Sequence, residues 1–214
     1  VVAGESRAYL AAGAGAGHGL VVVDTSDPRA PRLLASAAVG DARRVAVAGG
    51  LAYVASGSDG LWVVDLTEPS EPVAGQVLTT WAPATAVRAA GTTAFVASAT
   101  SGLVSVDVSE PAMPRTLDTA PVLGVASELA LDGDRAYVMG ERSGPPGTLT
   151  VFDVSDPTAL RPTGVVTLYG GAMAVAADAG RAYVADYDGG LRVIDVADPK
   201  ADAVDRREGG SRFR

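Results

Sequence analysis

The chain has 214 residues, 48% hydrophobic and 20% charged, with a formal net charge of −8 and no cysteine. That balance provides for a large core and argues against disorder. It also argues against a nucleic-acid face, since only Arg43-Arg44 approaches a basic cluster before the C-terminal tail. No apolar run reaches the 18 or so residues of a membrane-spanning helix, and without cysteine there is neither a disulfide nor thiolate chemistry.

In chain order, the apolar runs are short, rich in β-branched and aromatic residues, and bounded by Gly, Asp and Pro, as strands and turns are. Val1-Val2-Ala3 begins an inner strand, residues 7–11 form a second, and a Gly-Ala loop at 12–19 precedes a third at 20–24. A Gly-x-Gly-x-x-Gly phosphate cradle would need a helix after that loop, and a strand follows instead. The second unit, 41–80, predicts strands at 45–48, 51–55, 61–65 and 73–79, with a turn at 56–60. The third, 84–119, follows Thr80-Trp81-Ala82-Pro83. The fourth, 125–168, carries an insertion at 140–147 whose Pro-Pro and Gly residues enforce a protruding loop. The fifth spans 172–208 and leaves a polar tail at 209–214. No window holds a 3.6-residue apolar period.

These units are copies of one repeat. Ala52-Tyr53-Val54-Ala55 returns at Tyr9, Phe95, Tyr137 and Tyr183, at spacings of 44, 42, 42 and 46 residues. Leu61-Trp62-Val63-Val64-Asp65 returns with Asp24, Asp107, Asp153 and Asp195, and each copy is followed by an acid-Pro pair from Asp27-Pro28 to Asp198-Pro199. Such a period fits a helical solenoid or a propeller blade. Four strand-like runs per copy select the blade. The expected fold is therefore all-β: one β-propeller domain over 1–208, built of about five four-stranded antiparallel blades. Closure of five blades would rest on apolar packing alone, because Val1 opens an inner strand and the chain ends after an outer one; an open array is the other arrangement.

The same residues resemble the LVIVD-repeat family, with Asp153-Val154-Ser155-Asp156-Pro157 matching the end of its pattern letter for letter. Thr67-Glu68, Ser109-Glu110 and Ala197-Asp198 are mild departures in the same turn. The resemblance implies a propeller in secreted or surface proteins, and hence an extracytoplasmic (periplasmic, secreted or cell-surface) setting. It implies no particular activity. No leader is visible, which leaves open one removed from a mature chain.

The five aligned aspartates suggest a metal ring or an acid cluster, but each ends a third strand before a turn, where its carboxylate accepts backbone N–H groups. A residue needed in every blade serves the blade, so departures from the repeat are the functional candidates. The loops joining second to third strands and the loops between blades fall on one side, and variable loops on a scaffold carry function. That face holds the candidate binding residues Arg43, Arg44, Asp59, Trp81, Glu141, Arg142, Tyr169, Asp186, Tyr187 and Asp188. Exposed aromatics with Arg are typical anchors for a partner. Arg44 and Glu128 occupy equivalent places, nine residues before Tyr53 and Tyr137, and are expected at the mouth of the central channel. Trp62 is expected in the core or a blade interface.

The single histidine, His18, has no acid beside it in sequence and no second histidine, which argues against a triad or a zinc site. No catalytic residue, cofactor or metal is expected. The expected function is a non-catalytic scaffold that binds another protein, as one subunit of a larger envelope or membrane-associated assembly. A carbohydrate-binding or carbohydrate-active propeller using Trp81 and residues 186–188, and a structural module of a longer surface adhesin, are the alternatives.

Overall fold

The computed structural model describes residues 1–4, 6–13, 19–79, 83–141, 146–186 and 190–196. They form five antiparallel sheets with strands in sequential order. Blade one comprises β1 (Val2–Ala3), β2 (Arg7–Ala12), β3 (Gly19–Asp24) and β4 (Arg32–Ala37). Blade two has β5 (Arg44–Ala48), β6 (Leu51–Ala55), β7 (Leu61–Asp65) and β8 (Val73–Leu78). Blade three has β9 (Ala84–Ala90), β10 (Thr93–Ser98), β11 (Gly102–Asp107) and β12 (Arg115–Ala120). Blade four has β13 (Val125–Asp132), β14 (Arg135–Glu141), β15 (Gly147–Asp153) and β16 (Arg161–Leu168). Blade five shows β17 (Ala172–Asp178), β18 (Arg181–Asp186) and β19 (Gly190–Asp195); its expected fourth strand lies outside the described residues.

The repeat in sequence is a repeat in register. The aromatic of each second strand pairs with the same position of the third: Tyr9 with Val22, Tyr53 with Val63, Phe95 with Ser105, Tyr137 with Val151 and Tyr183 with Val193. In blades one to four the third and fourth strands share a register shift one step after that pair. A bulge there bends and twists the outer strand. The glycine that opens the third strand explains another fixed letter of the repeat. Gly60 has φ +83°, and a Cβ on it would lie 2.1 Å from the Leu78 carbonyl oxygen of the outer strand.

Stability resides between blades. One apolar cluster joins Tyr9, Leu20 and Val22 of blade one to Val45, Val54 and Val64 of blade two, with Trp62 packed against it as its strand position implies. Equivalent clusters join blades two and three around Tyr53 and Val104, three and four around Phe95 and Phe152, and four and five around Tyr137 and Ile194. Inner strands β5, β9, β13 and β17 lie side by side along the channel. Among the described residues no fifth cluster joins blade five to blade one.

A face built from second-to-third and interblade loops

The two classes of loop meet on one face, as the topology demands. In blade two the turn after β6 pairs with the entrance of β9: Gly57 N–H donates to Ala84 O at 3.1 Å and Ala84 N–H to Gly57 O at 2.8 Å. The buried Ser56 hydroxyl donates to Val39 O at 3.1 Å, and Thr148 donates to Leu123 O at 2.7 Å in blade four. These bonds fasten otherwise irregular loops to rigid strands.

Two cavities open on this face. One, of about 510 Å³, sits where β5, β9 and β13 begin, at the channel mouth, and is lined by Asp41, Arg43, Arg44, Thr85, Ser127 and Glu141 among others. Arg43 pairs with Asp41 at 2.8 Å. Arg44 of blade two pairs with Glu128 of blade four. Arg88, deeper on β9, has its guanidinium pulled below its ordinary value first by burial, with Glu128 opposing the effect and Arg44 adding to it. The mouth thus alternates cations and carboxylates and neutralises most of its own charge.

The second cavity, of about 240 Å³, lies between blades four and five. Met139 and Leu168 form an apolar floor, Thr148 and Met173 flank it, and Glu141 is its one charged lining residue among those described. Glu141 lines both cavities. Around them Leu123 and Tyr169, on interblade loops, and Val125 and Met173, at the starts of β13 and β17, are exposed large apolar side chains.

The candidate residues divide accordingly. Arg43, Arg44 and Glu141 border the cavities, and Tyr169 is exposed at their rim. Asp59 is half-buried, seated against Gly40. Asp186 is only 3% exposed, because it lies beneath the Gly170 loop and within 3.4 Å of Arg192, so its carboxylate is withdrawn from the face. Trp81, Arg142, Tyr187 and Asp188, with His18, lie outside the described residues. Sequence reasoning missed Leu123, Val125 and Met173. For Leu123 the available signal was a bulky apolar residue in the short loop at 121–124; Val125 and Met173 open strands β13 and β17, where an apolar residue gives no signal.

Four of the five aligned aspartates are turn caps, and the turn after Asp195 lies outside the described residues. Asp24, Asp65, Asp107 and Asp153 each accept the N–H of the residue two positions on, at 2.7–3.0 Å. The Thr67 and Ser155 hydroxyls, then the N–H groups of the same residues, hold the Asp65 and Asp153 carboxyls below the usual range; for Asp24 the Ser26 N–H does so first, and for Asp107 the Ser109 hydroxyl and N–H, then Arg115, bring it to about 2.

The LVIVD repeat pattern matches residues 8–38, 39–80, 83–118, 123–167 and 169–201, one match to each blade. The chain belongs to the LVIVD-repeat family. No curated protein matches it by sequence. Among solved structures, this LVIVD-repeat chain is similar to a functionally unknown protein from Desulfotomaculum acetoxidans DSM 771, at 14% identity and a TM-score of 0.75 over 92% of this chain and 70% of that one. It is also similar to the computationally designed Ika4 protein, at 11% identity and 0.57 over 75% and 94%. The WD40 repeats of RRP9 align at 9% identity and 0.64 over 82% and 55%, so the LVIVD chain spans little more than half of that one. At these identities the likeness is one of fold: a β-propeller, a scaffold carrying loops at its two ends.

Proposed function

We propose that this propeller is a non-catalytic scaffold that binds another protein through its loop-rich face, at the cleft between blades four and five. The observation that carries the reading is the grouping of exposed Leu123, Val125, Tyr169 and Met173 around an apolar cleft with Glu141 at its edge. Contiguous exposed apolar surface rimmed by polar groups marks interaction sites. The fitting partner presents an apolar anchor for the cleft and a basic side chain for Glu141. The turn-capping aspartates support the non-catalytic part of the reading, because their carboxylates are committed to backbone N–H groups. The extracytoplasmic setting rests on the family resemblance, and a place as one subunit of a larger envelope or membrane-associated assembly is part of the same proposal. A carbohydrate ligand is less favoured, since Asp186 is buried and the exposed apolar side chains are largely aliphatic.

The test is site-specific photocrosslinking in the native source, with the probe at Met173 and a control probe at Glu68, which lies in an acid-Pro turn on the opposite side. A protein crosslinked from position 173 and not from 68, and lost on Tyr169→Ala, is the expected result. Equal capture from both faces, or none, would overturn the reading.

A further inference from the structure

The channel wall departs from the repeat at three charged residues. By register, Arg44 of β5 and Glu128 of β13 stand where β9 has Ala86 and β17 has Ala174. Arg88 of β9 stands where β5 has Ala46, β13 has Ala130 and β17 has Ala176. Alanine therefore serves the fold at both levels, and taking a charge out of water costs free energy unless it is paired and hydrogen-bonded. The pairing is one carboxylate short. Glu128 is committed to Arg44. Arg88 feels both of them, yet among the described residues it forms no ion pair, and its guanidinium donates to the Val87 carbonyl at 2.9 Å.

A hydroxyl beside them is also unused. The register of β9 skips Thr85 and that of β13 skips Ser127, so both are bulged residues at equivalent places. The Thr85 hydroxyl is satisfied by the Ala97 and Ala126 carbonyls, each at 2.9 Å. The Ser127 hydroxyl oxygen is buried and has no partner among the described residues. Bulges re-aim side chains and are frequent beside functional sites. Arg44, Thr85 and Ser127 line one cavity of about 510 Å³, with Asp41 and Glu141 also in its wall.

We infer that the channel mouth binds a small monocarboxylate, whose carboxyl group supplies the missing anion and takes hydrogen bonds from Arg88, Arg44 and the Ser127 hydroxyl once that side chain turns from the wall. The planar fork of a guanidinium matches a carboxylate, and the volume is that of a small-molecule site. One spare cation calls for one anionic group. Asp41 and Glu141 repel a second, which selects against phosphate and polycarboxylates and favours a neutral or amino-bearing remainder. The site shares only Glu141 with the apolar cleft between blades four and five, so it does not depend on a protein partner there.

Isothermal titration of the whole chain with lactate, glucuronate and γ-aminobutyrate tests this, with inorganic phosphate and citrate as counter-probes. At least one monocarboxylate should bind saturably at millimolar or lower concentration, and more tightly than either counter-probe. Arg88→Gln should weaken that binding by about tenfold or more, as the loss of a charge-assisted hydrogen bond does, and Ser127→Ala by about two- to tenfold. Glu128→Gln should tighten it, because Arg44 then has no carboxylate of its own; a purely structural role for these residues would give no gain. Thermal melts establish that each variant is folded, and Arg88→Lys, which keeps the charge and loses the fork, serves in place of Arg88→Gln if that variant misfolds. No saturable binding of any of the three monocarboxylates, or binding of phosphate or citrate as tight as theirs, would overturn the inference. Binding indifferent to both Arg88→Gln and Ser127→Ala, or weakened by Glu128→Gln in a folded chain, would do the same.

Discussion

Arg44 and Glu128, on the inner strands of blades two and four, bridge the channel mouth past the intervening blade three. The pair is unequal: the Arg44 side chain is 46% exposed, while Glu128 is nearly buried and also faces Arg88. Removing one partner of a buried pair leaves an uncompensated charge, and an exposed partner is screened by water. Glu128→Ala, which deserts both arginines, should cost about 2–4 kcal/mol, and Arg44→Ala about 1 kcal/mol or less. Urea unfolding of the two variants checks the asymmetry; equal losses would mean that Arg88 does not depend on Glu128.

The turn caps set an acid limb on stability. Asp107 titrates at about 2 in the folded chain against an ordinary value of 3.8. Its folded value is lowered, so its contribution is fully present above the unfolded value and is lost as pH falls from about 4 toward 2. Asp107→Asn should flatten that part of the limb and leave the slope between pH 5 and 8 unchanged. Thermal melts at half-unit steps from pH 5 to pH 2 read the difference. A variant whose profile runs parallel to wild type throughout would remove Asp107 from the account.

Gly60→Ala should be among the most damaging single-methyl changes. Both the backbone, at φ +83°, and the Leu78 carbonyl oxygen, 2.1 Å from the new Cβ, oppose it. Strain of this kind costs about 1–3 kcal/mol before the clash is counted. Gly91→Ala, at φ +56° with nothing within 4 Å, isolates the backbone part. The difference between their denaturation midpoints measures the close approach alone.

The blade pattern was legible because each strand repeats a local requirement: an apolar face of period two, a glycine that admits the outer strand, and an aspartate that caps a turn. Arg44 and Glu128 were placed at the channel mouth by counting back from Tyr53 and Tyr137. Their pairing was not legible, since their separation in space depends on the rotation from blade to blade. Asp186 misled for a related reason. It ends a second strand, β18, at the edge of a loop face that is usually exposed, but Gly170 lets the preceding interblade loop close over it. The cleft was invisible because Met139 belongs to a core strand and Met173 to the next blade, and only packing brings them together.

Ser105 is the sharpest departure from the repeat inside a strand, standing where other blades carry Val22, Val63, Val151 and Val193. Its role is structural. Fully buried, its hydroxyl donates to the Pro157 carbonyl of blade four and accepts the Asp118 N–H at 3.1 Å, while the Asp118 carboxylate accepts the Leu160 N–H of blade four at 2.8 Å. Restoring the repeat residue should therefore harm the protein. Ser105→Val orphans a half-buried carbonyl and a half-buried N–H, a loss of about 1–2 kcal/mol that its extra apolar surface offsets only in part. Hydrogen exchange adds a local reading: the Asp118 and Leu160 amides should lose protection well before those of Tyr53 or Val63 in blade two. If Ser105→Val proved as stable as wild type with those amides still protected, the hydroxyl would be a passenger, and the Asp118 carboxylate would hold the Leu160 N–H without it.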